Sequence, residues 1–190
     1  MSSSISGTYQ SAVTAAERFA GLIPIRVVDT RSVSMAEGFA VSAAAAIAAG
    51  GGTVHDVAVE AIRVAANSHL LAAFNTLDFL DRGGRIGRAS AFIGNLLHVK
   101  PSLTLEDGVV AAAGRVRSRR GTLDTIAEHV LGLPTLRELA VIHGRACDLR
   151  YLIDGLSPRI ARDRIVETTL GPVISTHTAP GVLGVAYRTI

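Results

Sequence analysis

Residues 25–67 read IRVVDTRSVSMAEGFAVSAAAAIAAGGGTVHDVAVEAIRVAAN, and the order of signals within them sets the fold class. Ile25 to Asp29 is a short β-branched run of strand character. A hydroxyl-rich turn, Thr30 to Ser34, leads into a predicted helix from about Met35 to Ala49 that stops at Gly50-Gly51-Gly52. Thr53 is placed to cap a second helix running to about Asn67, with Val54, Val57, Ala61, Ile62 and Ala65 on one side. Alternation of this kind is the signature of an α/β protein.

Upstream, a polar loop precedes a helix predicted from about Tyr9 to Gly21, with Ser6 or Thr8 as its N-cap. Downstream the texture changes after Ser68, and a domain boundary is placed there, dividing the chain into residues 1–68 and 69–190. Leu70 to Asn75 reads as a strand, Leu77 to Arg82 as one or two helical turns, and Arg88 to His98 as a helix beyond Gly83-Gly84. Ser102 to Leu105 and the run from Val109 through Arg117 flank Glu106-Asp107-Gly108, the pattern of a β-hairpin. Helix Leu123 to Leu131, strand Glu138 to Ile142, helix Cys147 to Ile160, strand Arg164 to Thr169 and strand Leu183 to Tyr187 follow. The second portion is thus expected to hold a mixed or antiparallel sheet with helices.

The chain has 190 residues, enough for one large domain or two small ones with a real core. Its single cysteine, Cys147, cannot pair within the chain, which fits a reducing compartment, most simply the cytoplasm. The opening MSSSISGTYQ lacks the regions of a signal peptide, and Phe39 to Ala49 is too short to span a bilayer, so a soluble protein without stable membrane insertion is expected. Nineteen Lys plus Arg against sixteen Asp plus Glu leave a formal charge of only +3, too little for a general nucleic-acid coat. With no Trp and few rings, the apolar mass is Ala, Val, Leu and Ile, suited to an aliphatic cavity rather than to stacking bases.

Two small-polar loops near opposite ends, Ser2 to Ala12 and Thr176 to Gly181, offer hydroxyls, an imidazole and backbone N–H groups to a buried anionic headgroup. Ser6 stands at a helix start, where capping alone explains a serine; a helix N-terminus also favours an anion, and the two roles can coexist. His177 lies in a loop between two threonines, ahead of Pro180. Ser6 and His177 together would make a nucleophile and base, but no G-x-S-x-G elbow and no orienting acid accompany them. An esterase or acyl-phosphate hydrolase is therefore the second reading. Arg85, after Gly83-Gly84, is either a solvated turn residue or a bidentate partner for a carboxylate. Arg115, Arg117 and Arg119 alternate with Val116 and Ser118, so in a continuing strand they would share one face. That face is either a basic sheet edge or a docking patch for an acidic or phosphate-bearing partner, and a regulatory interaction module is a third reading. The histidines and Cys147 show no metal spacing, Gly50-Gly51-Gly52 is no dinucleotide fingerprint, and no Walker motif is present. Neither metal nor cofactor is expected.

Five motifs stand in a distinctive order. Met1 to Ala12 aligns with the pattern I-S-S-x-L-S-G-T-Y-Q-S-A, and Asp29 to Met35 with D-[ST]-x-S-V-S-M. Thr76 to Ile86 matches T-L-x-x-L-x-x-G-G-R-I, Lys100 to Gly108 matches K-P-x-L-x-x-x-D-G, and Thr176 to Gly181 matches T-H-T-G-P-G. Taken together they resemble the DegV family of bacterial fatty-acid-binding proteins. The resemblance implies two α/β domains with a long-chain fatty acid buried between them. It further implies that a separate fatty acid kinase phosphorylates the presented carboxylate to an acyl phosphate for phospholipid synthesis, the carrier performing no transfer itself. Carried over by position, Ser6 would hydrogen-bond the carboxylate, Arg85 would supply a cation and His177 would face the acyl-phosphate site. Gly7, Thr8, Thr176 and Thr178 would support these loops, and Arg115 and Arg117 would meet the kinase. Two departures stand out. The family's N-terminal stretch, with a first strand and a T-S-Q-P-S loop, has no counterpart before Met1, so the first domain is expected to be truncated. Ala179 replaces the usual glycine of T-H-T-G-P-G, which removes easy access to positive φ.

Overall fold

A computed structural model describes residues 1–91 and 100–190. Its centre is a six-stranded sheet in the order β3-β2-β1-β6-β4-β5. The strands are β1 (Ser68–Ala73), β2 (Lys100–Glu106), β3 (Val109–Val116), β4 (Glu138–His143), β5 (Ile165–Thr169) and β6 (Leu183–Arg188). All neighbours pair antiparallel except β4 and β5, which run parallel. The described residues also form helices α1 (Thr8–Glu17), α2 (Ser34–Ala49), α3 (Val54–Ala66), α4 (Asp78–Arg82), α5 (Arg119–Leu131), α6 (Leu149–Leu156) and α7 (Pro172–Thr178). This is the α/β class expected, with a mixed sheet.

Local chemistry explains where these elements begin and turn. Between β2 and β3, Asp107 (φ 52°) and Gly108 (φ 79°) both adopt positive φ, the backbone of a two-residue hairpin turn matched to strand twist. Thr53 and Asp56 form a reciprocal capping box at the start of α3. Ser118 caps α5 by accepting from the Gly121 amide at 3.1 Å. Pro172 occupies the first turn of α7, where its missing N–H costs nothing.

Strand alternation sends side chains to two faces. On one face Leu139, Val141, Leu183 and Val185 pack against Leu123, Ile126 and Val130 of α5 and Leu152 and Leu156 of α6. On the other, Ala140, Ile142 and Ala186 meet Ala36, Phe39 and Ala40 of α2 and Val64 and Ala65 of α3. The small residues of α2 let its backbone approach the sheet, with Phe39 as the one large anchor. A third cluster, around Phe74, Leu77, Leu80, Leu103 and Val182, fills the space beneath the hairpin.

Several local expectations are corrected. Ile25 to Asp29 forms no strand and joins no sheet, and Ile25 is exposed. β-branched propensity reports a fit to a pleated neighbour, and the described residues supply none there. Helix α1 ends at Glu17 rather than Gly21, with residues 18–22 turning before Gly21 at φ 79°. Helix α6 covers Leu149–Leu156, shorter than Cys147 to Ile160. Of the helix expected from Arg88 to His98, residues 87–91 wind as a 3-10 turn, and 92–99 lie outside the described residues.

Candidate functional site

A cavity of about 230 Å³ opens on the α2 face of the sheet, between the residue 1–6 loop and the strands. Leu70 of β1, Leu103 and Leu105 of β2, Ile142 of β4 and Leu170 and Ile174 beyond it make its lining predominantly aliphatic. Gly184 contributes floor without a side chain, and a Cβ there would lie 2.6 Å from Ala72 Cα of the neighbouring strand. The polar exceptions among the lining residues include Ser6, Arg85, His177 and Thr178. Residues from opposite ends of the chain thus converge on one apolar space.

The residue 1–6 loop is held by contacts remote in sequence. Ser2 is fully buried; its amide donates to Ser32 O at 2.8 Å and its hydroxyl to Gly108 O at 2.7 Å. Gly108 must be glycine there as well as in the turn, because a Cβ would strike Ser2 Oγ. Ser2 O in turn accepts from the Ser6 amide at 3.2 Å. Asp29 accepts from Ser3 Oγ at 2.5 Å, Ser3 N at 3.2 Å and Arg31 N at 2.9 Å. Partial burial pushes the Asp29 carboxyl up, but the Ser3 and Arg31 hydrogen bonds outweigh it and hold the group below the usual carboxylate range.

Ser6 Oγ accepts from the Thr8 amide at 3.2 Å and lies 2.9 Å from Thr8 Oγ1, so Thr8 orients it while Gly7 is the N-cap of α1. Arg85 Nε donates to Ile5 O at 3.2 Å and Nη1 to Gly83 O at 2.5 Å, which pins the guanidinium beside the serine loop. Its Nη2 group is uncommitted among the described residues. A second, polar cavity of about 520 Å³ lies on the outer side of this wall and shares Ile5, Ser6 and Arg85 with the first. Ser6 and Arg85 therefore separate an aliphatic interior from a polar exterior.

His177 sits in the last turn of α7, not in a loop as expected. Helix α7 packs beside α4, and a Cβ on Gly83 would collide with His177 Nδ1, so glycine there leaves room for the ring. Among the described residues, His177 Nδ1 and Thr178 Oγ1 are buried without a hydrogen-bond partner. Thr30 Oγ1 and His143 Nδ1, whose residues do not line the cavity, are unpartnered as well, and His177 Nδ1 lies against Gly83. Thr176 is exposed, donates to Pro172 O at 2.9 Å and does not line the cavity. After the helix, Ala179 takes φ 65° and ψ 165°, the positive-φ backbone that the glycine would have eased. No Ser6–His177 hydrogen bond forms among the described residues.

The arginine cluster does not form the continuous face expected. Strand β3 ends at Val116, leaving Arg115 exposed on the sheet edge and Arg117 exposed in the bend that follows. Arg119 turns inward: it binds Asp148 through Nε at 2.8 Å and Nη2 at 3.1 Å, Ala73 O at 3.1 Å and Gly181 O at 2.7 Å. The Arg119 guanidinium holds the Asp148 carboxyl below its usual range. Arg120 lies over the Tyr151 ring at 4.5 Å. The Ser2–Gly108, Asp29–Ser3 and Arg119–Asp148 contacts escaped the sequence reading because the partners are distant along the chain. Among the described residues no cluster of three or more metal-ligating side chains occurs, and no helix is long and apolar enough to cross a membrane.

Comparison with known proteins places these features in a family context. A sequence profile described as "Uncharacterised protein, DegV family" matches residues 1–189. A DegV domain-containing protein of Streptomyces coelicolor is 39% identical over 191 residues, covering 97% of this chain and 66% of the relative. The chain thus spans about two thirds of that relative's length. Among solved structures, a DegV family protein from Thermus thermophilus, described for its fatty acid binding, has 33% identity and a TM-score of 0.89, covering 100% of this chain and 69% of its own. DegV from Bacillus subtilis, described as a fatty acid binding protein, has 31% identity and a TM-score of 0.83, covering 100% of this chain and 68% of its own.

Proposed function

This chain belongs to the DegV family, and from that premise we propose that it binds a long-chain fatty acid, tail in the aliphatic cavity and carboxylate against Ser6, Arg85 and His177. The observation that carries the reading is the convergence of Ser6, Arg85, His177 and Thr178 on one predominantly aliphatic cavity, with Thr178 Oγ1 buried and unpartnered among the described residues. A carboxylate supplies acceptors for such groups, and the Arg85 guanidinium offsets its desolvation. Burying roughly fourteen methylenes at about 0.8 kcal/mol each contributes on the order of 11 kcal/mol before ordering costs. The tail then supplies affinity, and the polar groups need only fix the headgroup.

In this reading residues 1–68 and 69–190 are the two domains, and each provides one wall of the site. The carboxylate lies where Ser6 and Arg85 face the outer polar cavity, within reach of a separate fatty acid kinase, and the carrier performs no phosphoryl transfer. Arg115 and Arg117, exposed at the sheet edge and the bend after it, are the docking residues for that partner. The protein acts in a reducing compartment, most simply the cytoplasm. A Ser6/His177 hydrolase is the weaker reading, because Ser6 Oγ is engaged with Thr8 and no carboxylate orients His177 among the described residues.

Denaturing extraction of the purified protein followed by mass spectrometry tests the ligand class: a stoichiometric fatty acid is expected, and an empty protein that also fails to take up added acid overturns it. R115E/R117E is expected to abolish kinase-dependent phosphorylation while fatty acid retention is unchanged. Equal loss of both would remove the docking assignment. Release of product from a generic ester or acyl phosphate, abolished by S6A, would favour the hydrolase.

A further inference from the structure

A separate cavity of about 420 Å³ lies across the sheet from the first, beneath the C-terminal end of α5. The two sites share no residue, and on β4 Leu139 lines this one while Ile142 lines the other. Three arginines, Arg137, Arg159 and Arg164, line the second cavity together with aliphatic residues such as Leu133, Leu136 and Ile160, and no Asp or Glu lines it. Of the nearby acids, Glu138 pairs with Arg188 at 2.5 Å and Glu167 with Arg162 at 2.7 Å, while Asp163, next to Arg164 in the chain, is exposed and does not line the cavity. Among the described residues none of the three lining arginines has a carboxylate partner.

Backbone carbonyls hold two of these side chains at the rim. Arg159 Nη1 donates to Leu131 O, at the last turn of α5, and Arg164 Nη2 reaches Arg137 O at 3.5 Å. A cation at the α5 C-terminus is favourable on its own account, and that contact explains Arg159 in part. It does not explain why two more guanidiniums border the same concavity with no counter-charge. The three arginines are exposed, and like charges gathered around one concavity create a positive potential that an anion relieves. Each guanidinium carries five donors, so one backbone bond leaves most of them available.

We propose that this cavity is a binding site for a phosphate monoester carrying a small aliphatic body. Several guanidiniums suit a phosphate dianion, which accepts parallel hydrogen bonds from each fork. The aliphatic residues favour a ligand with a few carbons over a bare ion. No aromatic residue lines the cavity, so nothing there stacks a nucleobase. The same chemistry is met in a free glycerol phosphate and in the headgroup of a phosphatidic acid bilayer.

Calorimetric titration with glycerol 3-phosphate, and flotation with phosphatidylcholine vesicles containing phosphatidic acid, test the site on the full chain. Saturable binding of the soluble ester identifies a free ligand, and binding to vesicles alone identifies the lipid headgroup; either supports the site. R137A/R164A spares Arg159, which caps α5, and is expected to weaken binding on the order of tenfold or more. R115A/R117A is expected to leave it unchanged. In the unsubstituted protein, amide resonances of residues 133–137 and 159–164 should move during titration, a readout that does not depend on any variant folding. Absence of saturable binding to both probes, binding unaffected by R137A/R164A, or resonance shifts confined to another surface would overturn the proposal. Bound fatty acid measured in the same samples is independent of this result, so the two sites fail or stand separately.

Discussion

Arg119 and Asp148 are joined by two parallel hydrogen bonds, and the same guanidinium also binds the carbonyls of Ala73 and Gly181. One side chain therefore ties the end of β1, the residue 179–182 loop and the start of α6 into a single corner beside the cavity. Both partners are largely shielded from water, with side-chain exposures of 19% and 25%. Removing the arginine leaves a carboxylate and two carbonyls short of donors. R119A is expected to lose about 2–4 kcal/mol by urea denaturation, and R119K to recover only part, because lysine lacks the planar fork. Loss within about 0.5 kcal/mol would show that the corner is held by packing instead.

The same pair sets an acid dependence. The Asp148 carboxyl is held below the usual carboxylate range, chiefly by the hydrogen bonds from Arg119. A depressed carboxyl contributes stability that is fully present above its unfolded value and lost as pH falls through its folded one. Stability measured from pH 6 down to about 2 should therefore drop less steeply below about 3.8 in D148N than in the unsubstituted protein. Parallel profiles would remove Asp148 from the acid transition.

A second group, a base rather than an acid, acts in the same direction nearer neutrality. His69 is exposed on β1 with its ring 5.2 Å from that of Tyr187, and partial desolvation first, then the nearby His129, hold its imidazole below its usual range. A depressed histidine favours the neutral form in the folded state, so its contribution is complete above about 6.5 and is lost as pH falls through the folded value. The melting temperature should fall between pH 8 and pH 5.5, and H69Q should reduce that fall. An identical fall in H69Q would place the effect on another group.

Ala179 carries φ 65° and ψ 165°, a backbone region that is essentially glycine's. A179G is expected to stabilise the protein by about 1 kcal/mol, strain relief outweighing the added unfolded-state entropy, while A179V destabilises it. Equilibrium denaturation of the two variants checks the sign.

Ile174 lines the aliphatic cavity from α7 and is only half-buried, so a larger side chain can occupy the space without displacing the core. I174W is expected to lower bound fatty acid strongly with little change in melting temperature. Full retention would place the acyl tail elsewhere. By contrast, Leu22, Val59 and Ile62 are exposed at 76%, 49% and 55%, and lysine at each should alter stability by no more than about 0.5 kcal/mol while raising solubility.

The chain's own text was most legible where structure is local. Asp107-Gly108 announces a two-residue hairpin because few residues accept positive φ, and Thr53 with Asp56 announces α3 because a capping box closes within one turn. The motifs holding Ser6, Arg85 and His177 were visible too, and the fold brings all three to one cavity. Helix α7 was missed because seven residues carry too little periodicity, although Pro172 at its start was the available signal.

Sequence by itself determined the α/β class, the hairpin and the family pattern, and it singled out Ser6, Arg85 and His177, each within a motif whose signals lie a few residues apart. Tertiary structure alone decided which strand-prone run stays outside the sheet and what the arginines do. Ile25 to Asp29 has strand propensity but no described neighbour to pair with, whereas β3 stops at Val116 because Ser118 starts a helix. That change of direction swings Arg119 inward to Asp148 and leaves Arg115 and Arg117 outside. Whether a charge is buried and paired or solvated depends on partners tens of residues away, and only the folded chain brings them together.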